Sequence, residues 1–218
     1  MEGEIDHRST RRDFVHGKLH RHDLDPDPFR QLAAWLEAAE KAGNFDPTAM
    51  ALATADAHGQ PSLRYVLLKH FDDRGLCWYT DSRSRKGRDL AVNPRAALVF
   101  YWPEVDRQVR IEGRTEMLPQ SAAEDYFRQR PPRSRLAASA SEQSQPIADR
   151  ASLEARVASL AARYPDGSVP RNPAWRGYRL VPARFEFWQG RRDRLHDRFA
   201  YRRQEEESNT WEIQRLMP

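Results

Sequence analysis

Hydrophobic and polar positions change their period several times along the chain, and each change marks an element. After a closely charged, polar stretch reaching about Asp25, Asp27-Pro28 opens a segment in which Phe29, Leu32, Trp35, Leu36 and Ala39 recur at helical spacing. An amphipathic helix closing near Gly43 is predicted. From Thr48 the pattern shortens to apolar runs over 49–55 and 63–71, separated by Asp56-Ala57-His58-Gly59, whose Asp and Gly are turn residues; this predicts a β-hairpin. A second turn at 72–75 leads into a strand over 76–80, and Ser84 stands as the N-cap of a short helix ending at Asn93-Pro94. Strands follow over 96–102 and 108–117. Pro119 and Ser121 start a helix through Phe127, the Arg-Pro-Pro-Arg run from Arg130 interrupts it, and residues 151–164 carry another helical period. Beyond a Pro- and Gly-rich loop at 165–173, strand-like runs cover 177–181, 184–189 and 194–201, with 211–216 as a fourth.

Closely spaced strands with hairpin turns, and helices falling between strand groups, predict an α+β fold with a predominantly antiparallel β core. No repeat or long linker divides the chain, so one domain over 26–218 is expected, preceded by a partly flexible N-terminal segment over 1–25. The chain lacks a spanning apolar run, and its N-terminus lacks the basic start and apolar stretch of a secretion signal, so a cytoplasmic protein with no membrane partner is expected. Cys77 is the single cysteine, which excludes a disulfide within the chain and a multi-cysteine metal site; the apolar run around it predicts a buried, inert thiol. GxGxxG, GxxxxGK[ST] and GxSxG motifs are missing, and His58, His70 and His196 have no metal-ligand spacing, so no metal is expected.

Charge sharpens the picture. Against 32 acids stand 36 basic residues, a net charge of +4, and only Lys18, Lys41, Lys69 and Lys86 are lysines. Guanidinium groups suit phosphate and carboxylate, although an Arg- and Ala-rich composition also follows from genomic base composition. The cations are spread and interleaved with acids, so small phosphorylated ligands are expected and no nucleic acid. Three clusters stand out. In the first, Arg64, Val66 and Leu68 share one strand face and Tyr65, Leu67 and Lys69 the other, which suits either edge-strand protection or a ligand. In the second, Arg85 and Lys86 sit at a helix start, where they oppose the helix dipole and a bound phosphate would compensate. In the third, after Trp188-Gln189-Gly190, a predicted strand puts Arg194, His196 and Arg198 on one face, toward either solvent or an anionic, electron-rich ligand.

Taken in order, the Arg64-Tyr65-Val66-Leu67-Leu68-Lys69 run, Tyr79-Thr80 followed by Ser84-Arg85-Lys86, and Phe185-Glu186-Phe187-Trp188-Gln189-Gly190 with Arg194-Leu195-His196-Asp197-Arg198 resemble the pyridoxine 5'-phosphate oxidase family over about residues 11–218. The resemblance implies an FMN-binding split β-barrel, a homodimer with FMN at the subunit interface. It also implies oxidation of pyridoxine or pyridoxamine 5'-phosphate to pyridoxal 5'-phosphate, with O2 as acceptor and H2O2 as by-product. It gives FMN to Arg64, Tyr65, Val66, Leu67, Leu68, Lys69, Tyr79, Thr80, Arg85, Lys86, Gln108, Gln143, Ser144, Trp188 and Arg198. The vitamer falls to Arg11, Arg12, Asp13, Phe14, Lys69, Tyr126, Arg130, Ser134, Arg194, Leu195 and His196, with Arg194 and His196 as the catalytic pair. Lys69, Tyr126, Arg130 and Ser134 offer two cations and two hydroxyls, a set that fits a phosphate dianion. His196, titrating near neutrality, is the candidate to handle the departing alcohol or amine proton. The sequence departs from the family pattern at Phe14, where Tyr is usual, and at Ser139, where Trp is common. A flavin reductase of the same fold, or a carrier that holds FMN or pyridoxal 5'-phosphate without turnover, would share the phosphate-binding groups, and turnover separates them.

Overall fold

The computed structural model describes residues 6–10, 12–204 and 210–218. The helices are α1 (Pro28–Lys41), α2 (Arg85–Val92), α3 (Gln120–Gln129), α4 (Pro132–Ala140) and α5 (Arg150–Arg163). The strands are β1 (Ala49–Ala55), β2 (Pro61–Leu67), β3 (His70–Asp72), β4 (Gly75–Asp81), β5 (Arg95–Trp102), β6 (Arg107–Met117), β7 (Trp175–Gln189), β8 (Asp197–Arg203) and β9 (Trp211–Leu216). Among the described residues the sheet runs β2-β1-β5-β6-β7-β4-β3, with β8 paired to β7 and β9 to β8. The fold is the predicted α+β, with an antiparallel sheet and flanking helices. The chain forms two compact units.

One unit comprises Met1–Pro47, Phe100–Arg110 and Arg184–Pro218. Asp27 caps α1 by accepting from the Phe29 amide at 2.9 Å, Pro28 occupies the first turn, and Gly43 ends the helix at φ 82°. The helix buries Phe29, Leu32, Trp35 and Ala39, and its rings meet Phe185 and Phe187 edge to face at 5.2 and 5.1 Å. Opposite Phe187 in the β7–β8 register lies Phe199. The sequence predicts a strand from Arg194, but β8 starts at Asp197: residues 192–194 form a turn in which Asp193 and Arg194 have φ of 56° and 59°. Arg194, His196 and Arg198 therefore do not alternate along one strand face.

The other unit comprises Thr48–Val99 and Ile111–Ala183. β1 and β2 form the predicted hairpin, with Asp56 accepting from the His58 and Gln60 amides at 2.9 and 3.0 Å and Gly59 at φ 81°. The single run expected over 63–71 divides, because β2 pairs with β1 through Leu67 whereas β3 pairs with β4. Lys69, whose amide donates to the Cys77 carbonyl at 2.9 Å, thus lies outside β2 and does not share a face with Tyr65 and Leu67. The runs over 177–181 and 184–189 are one strand, β7, which continues through Pro182. Gly113 permits this: a Cβ there would lie 2.1 Å from the Val181 carbonyl oxygen. Pro132, read as an interruption, occupies the first turn of α4, where its missing N–H costs nothing. Cys77 is buried, as expected, and burial raises its pKa.

Ser84 caps α2 by accepting from the Gly87 amide at 3.3 Å. An added Cβ at Gly87 would stand 2.2 Å from the Ser82 carbonyl oxygen, which is backbone and cannot swing away. Helix propensity favours Ala over Gly by up to about 1 kcal/mol, but this contact dominates, so Gly87→Ala is expected to destabilise by about 1–3 kcal/mol. A thermal melt should show Tm lower by roughly 2–12 °C; a raised Tm would mean that α2 shifts freely.

Candidate active site

Within the second unit, strands β2 and β4 and helices α2, α3 and α4 surround a cleft of about 450 Å³. Twelve of the residues singled out from sequence line it: Arg64, Tyr65, Val66, Leu67, Lys69, Tyr79, Thr80, Lys86, Tyr126, Arg130, Ser134 and Gln143. Trp175 and Pro131 complete the wall.

Arg64 is held from behind. Its guanidinium donates to the Leu52 carbonyl at 3.2 Å, to Thr54 Oγ1 at 2.7 Å and to Ser62 Oγ, while Asp89 lies 3.9 Å away. Asp89 in turn accepts from Thr54 and Ser62 at 2.6 and 2.8 Å, so one buried carboxylate orients both hydroxyls that steer the arginine. Lys86 Nζ donates to Thr80 Oγ1 and Gln143 Oε1, both at 3.1 Å, and to Ser84 Oγ at 3.3 Å. Each of these partners is neutral. Burial first, and then the charge of Arg64, depress the lysine pKa, against the opposing pull of the Asp81 carboxylate.

A second cationic group lies at α3 and α4. Tyr126 stacks on Tyr79 with centroids 4.1 Å apart, and Arg130 lies over the Trp175 ring at 4.4 Å. Arg130 Nη1 and Trp175 Nε1 are buried with no hydrogen-bond partner. Both residues line the cleft, and each orphaned donor is costly until an acceptor reaches it. Phosphate oxygens would meet that demand at Arg130, and Arg64 and Lys86 add two further cations to the same cleft; the residues present fit a phosphorylated cofactor and a phosphorylated substrate.

The remaining sequence-selected residues stand elsewhere. Leu68 is buried, and the exposed Arg85 joins Ser144 through its backbone amide at 3.2 Å. Gln108 lies on β6 in the first unit. That unit also holds Trp188, with the His196 ring centroid 4.6 Å away and Phe14 edge-on to both at 5.3 and 5.2 Å. Gly190 makes room for Phe14, since a Cβ there would lie 2.5 Å from its Cδ1. His196 Nδ1 accepts from the Arg191 amide at 3.1 Å, so the neutral ring carries its proton on Nε2. Burial, then Arg194 and Arg198, push its pKa below the ordinary 6.5. Arg198 donates twice to the buried Glu186, at 3.0 and 2.7 Å, and to the Met217 carbonyl at 2.8 Å. Arg194, Leu195 and Asp13 are exposed, and Arg11 lies outside the described residues. Ser139 donates to the Pro170 carbonyl at 3.0 Å. Sequence reading missed Thr54, Ser62 and Asp89 behind Arg64, and Trp175 beneath Arg130; none carries a local motif. No group of three metal-ligating side chains occurs among the described residues.

Comparison with known proteins converges on one family. A family model for pyridoxamine 5'-phosphate oxidase matches residues 34–164, and one for the pyridoxine 5'-phosphate oxidase C-terminal dimerisation region matches 175–218. The pyridoxine/pyridoxamine 5'-phosphate oxidase of Herminiimonas arsenicoxydans is 50% identical over 208 residues, 95% of this chain and 97% of that protein. Its counterpart in Rubrobacter xylanophilus is 48% identical, over 95% and 94% of the two chains. Among solved structures, PhzG from Burkholderia lata 383, in complex with tetrahydrophenazine-1-carboxylic acid, superposes with a TM-score of 0.84 at 37% identity, covering 92% of this chain and 98% of PhzG. A pyridoxamine 5'-phosphate oxidase-related, FMN binding protein from Nostoc punctiforme has the same fold, with a TM-score of 0.71 at 20% identity over 89% of this chain and all of that one.

Proposed function

Because the chain belongs to the pyridoxine/pyridoxamine 5'-phosphate oxidase family, we propose that it oxidises pyridoxine or pyridoxamine 5'-phosphate to pyridoxal 5'-phosphate, using FMN and O2. The observation that carries this reading is the cleft itself, where Lys86 and Arg130 are half-buried cations that form no ion pair with a carboxylate among the described residues, Asp81 acting on Lys86 only at longer range. Arg64 and Lys86 would hold the FMN phosphate, with Thr80 and Gln143 as neutral donors and acceptors beside it. Arg130, Ser134, Tyr126 and Lys69 would hold the phosphate of the vitamer. FMN, when bound, supplies the hydride acceptor and passes two electrons to O2, giving H2O2. The protein's part is orientation. Trp188, Arg194, Leu195 and Arg198, with Arg11 to Phe14, are assigned to ring contacts and cover on the basis of the family resemblance. His196 offers Nε2–H, so in its neutral form it serves as a hydrogen-bond donor to a substrate oxygen or nitrogen rather than as a free base.

Visible absorbance of the purified protein should show flavin bands, and oxygen uptake should follow addition of pyridoxine 5'-phosphate. A colourless protein that takes up no FMN would overturn the reading. An NMR titration of His196 should give a pKa below 6.5, and Arg194→Gln should raise it by removing a neighbouring positive charge. Titration at or above 6.5 would reject that environment.

The chain carries the family's C-terminal dimerisation region, and a homodimer with FMN at the subunit interface is part of the proposal. Supporting it, edge strand β2 turns Leu63 and Tyr65 outward with 67% and 78% of their surface exposed, an apolar edge that calls for cover. No helix among the described residues is long and apolar enough to cross a membrane.

A further inference from the structure

Within the first unit, the N-terminal segment is held by a residue that neither the family resemblance nor the motifs single out. Asp106 follows the turn at Pro103–Val105, has φ of 52° in the left-handed region, and its side chain is fully buried. Its carboxylate accepts from Arg12 Nη2 at 2.5 Å, from the Val15 amide at 2.9 Å and from the His16 amide at 3.2 Å. Its carbonyl accepts from the Gly190 amide at 2.7 Å and from Gln189 Nε2 at 3.2 Å. One residue thus joins the segment around Phe14 to the end of β7, where Trp188 and Gly190 receive the Phe14 ring.

We propose that Asp106 is a positioning residue, a latch that fixes Phe14 over the Trp188–His196 pair before substrate arrives. This rests on the oxidase reading for its functional consequence. Arg12 is committed to the latch: its other donors go to the Pro103 carbonyl at 2.6 Å and to Tyr101 Oη at 3.2 Å. The carboxylate is desolvated, and among the described residues its hydrogen bonds all come from the segment, so withdrawing residues 12–16 would break three charge-assisted hydrogen bonds at once. A second buried carboxylate, Asp197, takes the Leu19 amide at 3.1 Å and limits how far the segment can move. Holding the cover in place beforehand removes the ordering cost from substrate binding, and that saving is uniform between ground and transition states.

The test uses FMN-loaded Asp106→Asn, which tolerates the left-handed backbone but lacks the charge that Arg12 pairs with, alongside Arg12→Ala, which leaves the buried turn intact. Amide hydrogen exchange at Val15 and His16 should quicken by about tenfold or more in both variants. In Asp106→Asn, KM for pyridoxine 5'-phosphate should rise about tenfold while kcat and FMN affinity stay within about twofold. Unchanged exchange at Val15 and His16 in Arg12→Ala, which is built to fold, would overturn the latch; faster exchange with an unmoved KM would overturn its role in positioning. A fall in kcat with KM unmoved would also overturn it. The exchange measurement needs no substrate, so a chain that oxidised no B6 vitamer would fail the oxidase reading while the latch was still decided by exchange.

Discussion

Lys86→Met is expected to weaken FMN binding by roughly 30- to 1,000-fold, or about 2–4 kcal/mol, and to yield protein that purifies largely colourless. The lysine is half-buried against Thr80, Ser84 and Gln143, all neutral, and its pKa is lowered by burial first and by the charge of Arg64 second, with Asp81 opposing both. A group in that position holds its proton at a cost that an anion would repay. Methionine keeps much of the volume, and Thr80 and Gln143 remain bonded to each other at 2.9 Å, so few groups are left orphaned by the change. The loss therefore reads the charge–phosphate contact. Because Lys86 is half-buried, the wild-type affinity should depend less on ionic strength than an exposed ion pair would. Equilibrium titration with FMN, followed by flavin fluorescence, checks both points; an unchanged Kd would remove Lys86 from the cofactor site.

Arg130→Ala should lower kcat/KM for pyridoxine 5'-phosphate by a similar factor, about 30- to 1,000-fold, almost entirely through KM. Arg130 presents a buried, unpartnered Nη1 and is held flat by the Trp175 face at 4.4 Å. That posture suits one ligand class, a group with several acceptor oxygens. Arg130→Lys should recover part of the loss, since it keeps the charge but not the planar fork or the stacking. The same alanine variant assayed with the unphosphorylated alcohol should show little change relative to wild type. Equal losses on both substrates would assign Arg130 to supporting Trp175 rather than to binding phosphate.

Much of the helical framework is legible in the sequence because its causes are local. Asp27-Pro28 and Ser84 announce α1 and α2 through caps and first-turn chemistry that involve residues two or three positions apart. The hairpin at Asp56–Gly59 is legible for the same reason. Where the reading failed, a distant contact decided. Residues 63–71 look like one strand, yet the partner changes from β1 to β4 after Leu67. Pro182 looks like a break, yet β7 runs through it because Gly113, far away in sequence, leaves space for the Val181 carbonyl. The left-handed pair Asp193 and Arg194 leaves no periodicity to read.

The site divides along the same line. Arg64 and Lys86 lie in ordered motifs, and Arg130 came with them through the family resemblance, so sequence alone determined residue types suited to phosphate but not which of the selected side chains share the cleft. Only the tertiary structure decided which of them carry an unmet charge or donor. Arg64 has Thr54, Ser62 and Asp89 behind it, Arg198 is occupied by Glu186 and Met217, and Arg12 is occupied by a buried Asp106 that lies 94 positions along the chain. Lys86 and Arg130 are left facing the cleft. The reason is physical: a residue's type sets what it can bind, but its demand for a partner depends on how much water and how many counter-charges the folded chain leaves around it.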